Sequence, residues 1–183
     1  GQADMNGSAF PGVTSPQDGG GTVAYISDCQ IETDREAVIP DSYVSSAGEK
    51  LRLYRELDSI TDEERLARFE SQLTDRFGDI PTATHELFDI VRLRWICIRL
   101  GFEKAIVKNG IMILQFVHNQ KSAYYKSELF GRILRVSTRP GSKFIFRQNN
   151  NKLSVVVRSI KDIAAAAATL RELETEAAKQ PTA

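Results

Sequence analysis

The stretch LTDRFGDIP, residues Leu73–Pro81, lies at the junction of two predicted helices. Gly78 supplies the left-handed residue that commonly follows a helix end. Pro81 suits the first position of the next helix, where its missing N–H group costs nothing. The stretch therefore predicts two helices joined by a tight turn, and it raises the question of what the charged pair Asp75 and Arg76 does.

The helix before this turn has the clearest pattern in the chain. The run from Thr61 to Glu64 fits a capping box, in which the Thr61 hydroxyl accepts one backbone N–H and Glu64 reaches back to another. Apolar residues then recur every three or four positions and form one stripe: Leu66, Phe69, Leu73 and Phe77. We expect a helix that buries this stripe and exposes Asp75, with Arg76 nearer its edge.

Helices are also predicted on both sides of this pair. Ser45 or Ser46 caps a helix over residues 48–59, whose apolar positions Leu51, Tyr54 and Leu57 have helical spacing. The helix that begins at Pro81 is broadly apolar and ends at Gly101, so we expect it to be central, with Trp95 packed in the fold rather than bound to a ligand.

Beyond Gly101 the apolar pattern changes to that of strands. The segments 105–108 and 111–117 predict a hairpin around Asn109-Gly110, and a second hairpin pairs 143–147 with 152–158. A helix is predicted over 123–134, and Ser159 caps a last one from Ile160 to Ala178. This order predicts an α+β domain, with helices packed on a small, mostly antiparallel four-stranded sheet.

The domain boundaries follow from composition. Residues 1–23, rich in Gly, Ser, Pro and Asn, predict a flexible linker, and residues 24–45 an extended arm with a strand-like stretch at 29–33. The α+β domain spans 46–178, followed by a disordered tail, 179–183. Because the first residue is Gly, we expect a processed chain or a piece of a longer protein. No apolar run has membrane-spanning length, and no signal peptide is recognisable.

Charge is unevenly distributed along the chain, although the net charge is zero. Residues 1–48 carry seven acids and one base, whereas residues 91–147 carry twelve bases and two acids. Aromatic residues are interleaved with these bases, an arrangement that binds single-stranded nucleic acid by stacking and phosphate contact: Tyr124, Tyr125, Phe144 and Phe146. The basic half therefore leaves two hypotheses open, a solvated face of an ordinary domain and a module that contacts DNA or single strands.

Nothing in the sequence has the pattern of catalytic, cofactor or metal chemistry. Phosphate-loop, dinucleotide-binding and nucleophile-elbow motifs are not present. His85 and His118 lack a second ligand at a metal-binding interval. Cys29 and Cys97 are distant in sequence and are expected to be free thiols, the latter within an apolar helix. We therefore expect no catalytic, cofactor-binding or metal-binding residues and no enzymatic activity in this chain.

Asp75 is the residue that helix formation explains least. It lies near the C-terminus of its helix, where the helix dipole disfavours an anion. A nearby cation must compensate for it. That cation is either inside the domain, where Arg76 and Arg92 are the candidates, or on a partner.

Several of these motifs are shared with a known family. From Tyr25 to about Glu176 the chain resembles the C-terminal domain of bacterial transcription-repair coupling factors. The matching pieces are IPDSYV (39–44), EKLRLYREL (49–57), LTDRFGDIP (73–81), LFDIVRLR (87–94) and LGFEKAIVKNGIMILQF (100–116). The resemblance fades after Val117.

The resemblance implies a regulatory function. It implies a cytoplasmic parent factor that acts on stalled RNA polymerase, moves along DNA with an ATP-driven motor and recruits the UvrA damage-recognition protein. In such a factor this domain would fold back on the N-terminal UvrB-like module and mask the surface that UvrA uses. The resemblance also implies a partner interface that includes the end of the second helix, with Gln72 where other members carry an acid: Gln72, Asp75, Arg76, Asp79 and Arg92.

Overall fold

The computed structural model describes residues 24–179. The predicted linker, 1–23, and residues 180–183 of the predicted tail lie outside the described residues. The helices are α1 (Ala47–Ser59), α2 (Glu63–Phe77), α3 (Thr82–Leu100), α4 (Glu128–Ser137) and α5 (Ile163–Ala178). The strands are β1 (Gln30–Thr33), β2 (Phe102–Lys108), β3 (Ile111–Phe116), β4 (Ile145–Asn149) and β5 (Lys152–Val157).

The sheet has five strands and is mixed, so the prediction of four mostly antiparallel strands needs correction. The strand order is β1-β2-β3-β5-β4. The four strands of the two predicted hairpins pair antiparallel, and β1 joins the edge of β2 in parallel. The α+β class is confirmed. The strand-like stretch predicted at 29–33 is confirmed as β1, but its place in the sheet was missed because it pairs with residues more than 70 positions away, and no local pattern reports such a pairing.

Helix α3 lies between two hydrophobic cores. One face packs with the sheet, α4 and α5, and contributes the buried residues Leu93, Ile96, Cys97 and Leu100. The other face packs against α1 and α2 through Phe88 and Val91. The central position predicted for this helix is therefore confirmed. Trp95 is part of the packing as well, because its indole N–H donates to the Ile60 carbonyl at 2.9 Å.

Two predicted helix caps are wrong by one and by three residues. At α2 the cap is Asp62, which accepts the N–H of Arg65 at 2.8 Å, rather than Thr61. At α5 the cap is Asp162, so that helix begins at Ile163. The N–H of Ile160 instead donates to the Gly110 carbonyl at 2.8 Å, which holds Ile160 outside the helix.

Two other local predictions also need correction. The helix predicted over 123–134 is a short 3-10 turn, Ala123–Lys126, followed by α4. Ser127 separates them, since it is extended and caps α4 through its side chain. On α1 the buried residues are Leu53 and Leu57, and Leu51 is 51% exposed. Leu51 and Leu57 are six positions apart, which is too far from whole helical turns for both to face the core.

Within residues 24–179, none of the helices combines the length and the hydrophobicity that crossing a bilayer requires.

Candidate interaction surface at the end of α2

Helix α2 exposes its C-terminal turn because its apolar stripe fixes how the helix is rotated. Leu66, Phe69 and Leu73 are each at most 2% exposed and pack in the core between α1 and α3. With that face inward, Asp75 points to solvent, as predicted, and so does Gln72. The helix ends at Gly78, whose φ of 87° is rare for a residue with a Cβ and whose N–H donates to the Thr74 carbonyl at 2.9 Å.

Tyr43 from the arm fixes the turn that follows α2. Its hydroxyl donates to the Gly78 carbonyl at 2.8 Å and lies 3.2 Å from the Leu73 carbonyl. Its ring packs on Phe77 with a centroid separation of 5.7 Å. Burial, and after it the charge of Asp79, raise the pKa of Tyr43 above its ordinary value. Sequence reasoning missed this contact, which joins segments more than 30 residues apart.

Arg76 is held by the domain itself. One guanidinium nitrogen lies 2.7 Å from Glu49 of α1, and the guanidinium carbon lies 4.8 Å from the centre of the Phe77 ring. The side chain is still about half exposed. Arg76 therefore links α1 to α2 and keeps one side of its charged group open to a partner. Glu49, too, was missed by sequence reasoning.

The side chain of Asp75 forms no ion pair and no hydrogen bond with any residue of the described range 24–179. The two cations considered as internal partners are engaged elsewhere, Arg76 with Glu49 and Arg92 with two other carboxylates. Asp79 is likewise exposed and has no ion pair in this part of the chain. The end of α2 thus presents the two carboxylates of Asp75 and Asp79 to solvent, with the amide of Gln72 beside them on the same helix.

Arg92 lies away from the other predicted interface residues. Its guanidinium contacts Glu63 at 2.8 Å and Asp89 at 3.0 Å. Glu63 is the first residue of α2 and is 12 positions before Asp75, a separation of about 18 Å along a helix that rises 1.5 Å per residue. The structure therefore brings Gln72, Asp75, Arg76 and Asp79 together. It places the side chain of Arg92, which belongs to α3, beside the opposite end of α2.

The basic half of the chain does not present its aromatic residues to a ligand. Tyr124 and Phe144 are at most 3% exposed, and Tyr125 and Phe146 pack against the same core. Several of the basic side chains form ion pairs with acidic ones, among them Arg99 with Glu174 at 2.9 Å. Stacking of nucleobases on these aromatic side chains is therefore not available in this fold, which weakens the nucleic-acid hypothesis.

The histidines and cysteines do not form a metal-ligand cluster within the described residues. His85 lies 3.9 Å from Glu70 and packs edge-on against Phe88. Cys29 and Cys97 are both free and buried. Burial raises the pKa of the Cys97 thiol, and a hydrogen bond with Cys29 raises it further. Cys97 is therefore held as the thiol, the form that is poor both as a nucleophile and as a metal ligand.

Fold and surface together define a class of protein, a small α+β domain whose most distinctive exposed feature is a charged helix end. The family model described as the TRCF domain matches residues 33–127 of this chain. That range is more than half of the chain and contains α1, α2 and α3 as well as LTDRFGDIP. The chain belongs to the TRCF domain family.

Individual relatives support the same assignment. The transcription-repair-coupling factor of Rickettsia bellii is 31% identical over 116 residues, which are 59% of this chain and 10% of that protein. The factor of Staphylococcus epidermidis is 27% identical over 135 residues, or 73% of this chain and 11% of that protein. The chain thus spans about a tenth of the length of the curated relatives it matches.

A solved structure shares the fold. The crystal structure of the C-terminal domain of a transcription-repair coupling factor superposes with a TM-score of 0.61, covering 81% of this chain and 96% of that one. The two sequences are 17% identical in this comparison, so the likeness supports the architecture and carries no information on individual site residues.

Proposed function

We propose that this chain is a regulatory interaction domain of a transcription-repair coupling factor and that the end of α2 binds a second protein surface. The observation that carries the proposal is the state of Asp75. It is an exposed anion in the last turn of a helix, where the dipole disfavours it, and no cation of the described residues compensates for it. A partner that supplies the missing cation gives this residue a function that the fold does not.

The partner we propose is the N-terminal UvrB-like module of the same factor. This choice rests on the family to which the chain belongs and on the name of its relatives. In the bound state the domain covers the surface that UvrA would use, and it is released when the factor engages RNA polymerase on DNA. The domain contributes binding and no chemistry; motor activity belongs to another part of the factor.

The chemistry of the surface suits a contact that has to open. Exposed ion pairs contribute roughly 0–1 kcal/mol each, because water and salt screen them. Asp75, Asp79 and the open side of Arg76 together provide a coupling free energy of about 1–3 kcal/mol, which is the usual range for regulation between sites. A stronger, apolar contact would hold the two modules together permanently.

Competition with UvrA tests this function. The UvrB-like module is immobilised, UvrA is captured on it, and increasing amounts of this chain are added. We expect the chain to reduce UvrA capture and the Asp75→Arg variant to lose this effect. Glu64→Arg is the matched control, since Glu64 is an exposed acid at the other end of the same helix. Undiminished UvrA capture at saturating amounts of the natural chain would exclude the masking function.

A further inference from the structure

The outer face of the sheet carries none of the helices of the described residues. Beyond the register shift at Phe102/Lys104, the buried residues of β2, β3 and β5 all point toward α3, α4 and α5: Ala105, Val107, Met112, Leu114, Phe116, Val155 and Val157. Because successive side chains of a strand point to opposite faces, the residues between them point away from the helices. None of those between them is part of either hydrophobic core.

Four aliphatic residues form a continuous row across this outer face. Ile106 of β2 is opposite Ile113 of β3, which is opposite Val156 of β5, which in turn is opposite Ile145 of β4. We call these four residues the outer apolar row. Each is partly exposed, and the row is about 14 Å long at the usual spacing between neighbouring strands. Such a row is an apolar stripe that none of the helices within residues 24–179 covers.

Positive charge surrounds the outer apolar row. Lys104 and Lys108 lie on either side of Ile106 along β2, and both contact Glu32 of β1, at 3.0 and 3.7 Å. Toward the opposite edge of the sheet, on β4 and β5, Arg147 and Lys152 point to the same face as the row and form no ion pair with a residue of the described range. Of the strand residues that have this facing, four are bases and one, Glu32, is an acid, which gives them a positive net charge.

We infer that the outer apolar row binds an acidic protein segment that presents, on one face, aliphatic side chains flanked by carboxylates. Charge complementarity decides the occupant: aliphatic side chains cover the row, and carboxylates meet the bases beside it. A second copy of this chain laid face to face would bring like charges together. Single-stranded nucleic acid needs aromatic platforms for stacking, whereas this row is entirely aliphatic. The site is separate from the end of α2, because α3 lies between α2 and the sheet.

Methyl-resolved NMR of the full 183-residue chain tests this inference. The probe is an amphipathic helical peptide in which isoleucines form one stripe and glutamates flank it, titrated at low salt. We expect saturable shifts at the methyl groups of Ile106, Ile113, Ile145 and Val156, with an apparent Kd that rises as salt is added. Ile113→Glu should weaken binding about tenfold or more, since it removes apolar contact and brings a carboxylate toward the carboxylates of the peptide.

Control variants keep the test decisive. Leu51→Lys changes an equally aliphatic, exposed residue of α1, and we expect it to leave peptide binding unchanged. Val156→Thr retains β-branched shape and should fold while weakening binding by severalfold. Absence of row shifts at millimolar peptide would overturn the inference. So would equal shifts with a peptide that carries lysine in place of glutamate, or row shifts caused by oligothymidylate alone, which would assign the face to nucleic acid.

Discussion

Asp75 combines high exposure, an unfavourable position in its helix and the lack of an ion pair within the described residues. Because the negative end of the helix dipole repels it, we expect Asp75→Ala to raise the free energy of unfolding by about 0.3–1 kcal/mol. Denaturant unfolding followed by circular dichroism measures this change. If Asp75 stabilised the fold, Asp75→Ala would instead lower the free energy of unfolding, and a clear decrease would contradict a role in partner binding alone.

Glu64 provides the matched comparison, since it is an acid in the first turn of the same helix. There the dipole favours a negative charge, and Glu64 also lies 3.5 Å from Arg68, one turn further along. Glu64→Ala should therefore lower the free energy of unfolding by several tenths of a kcal/mol. Opposite signs for the two substitutions would separate the position in the helix from the general effect of removing a carboxylate.

Gly101 is fixed by both its backbone conformation and its neighbour. Its φ is 85°, and a Cβ built on it would lie 2.2 Å from the ring of Tyr124. Tyr124 is fully buried and donates its hydroxyl to the Leu100 carbonyl at 2.7 Å, so the ring has no room to move. We expect Gly101→Ala to cost about 2–4 kcal/mol of stability, from strain and overpacking together. This is measured by chemical unfolding.

Gly131 in α4 is the control for this substitution. Nothing lies within 4 Å of a Cβ added there, and the residue is inside a helix. Gly131→Ala should therefore stabilise the domain by about 0.5–1 kcal/mol. If Gly101→Ala were equally harmless, the close packing of Tyr124 on the end of α3 would be refuted.

At the scale of elements, the N-cap of α2 is Asp62 in the structure, whereas the sequence pattern predicts Thr61. Asp62 accepts the N–H of Arg65, while Thr61 precedes the cap. Asp62→Ala should cost about 1 kcal/mol of unfolding free energy, and Thr61→Ala should cost close to nothing. Thermal unfolding of the two variants side by side measures the difference. The reverse order would restore the capping box that the sequence suggests.

Local patterns predict the elements whose signals are contained in a few neighbouring residues. The stripe from Leu66 to Phe77 gives α2 and its rotation, and Asn109-Gly110 gives the first hairpin with its register. The exposure of Asp75 follows from the same stripe. The cap of α2 was predicted one residue too early because Thr61 and Asp62, both good capping residues, are adjacent.

Contacts between distant segments were not predictable in this way. The pairing of β1 with β2, the hydrogen bond of Tyr43 to the turn after α2, and the ion pair of Arg76 with Glu49 each join residues that are far apart in sequence. The distance of Arg92 from the end of α2 was not predictable for the same reason, since it depends on how α3 packs along α2.

At the scale of the whole molecule, the layers separate two surfaces. Helices α1 and α2 lie on one side of α3, and the sheet lies on the other. The charged end of α2 and the outer apolar row consequently belong to different layers. An arrangement of this kind allows one partner to be exchanged at α2 while a second contact at the sheet is maintained.

Calorimetric titration of this chain into the separately expressed UvrB-like module tests the interface most directly. We expect saturable binding by the natural chain and by Glu64→Arg. For Asp75→Arg, with its fold intact, binding should be at least about tenfold weaker, because an attractive ion pair becomes a repulsive one. Unchanged affinity of Asp75→Arg, or no binding by the natural chain at high micromolar concentration, would contradict the assignment of the interface to the end of α2.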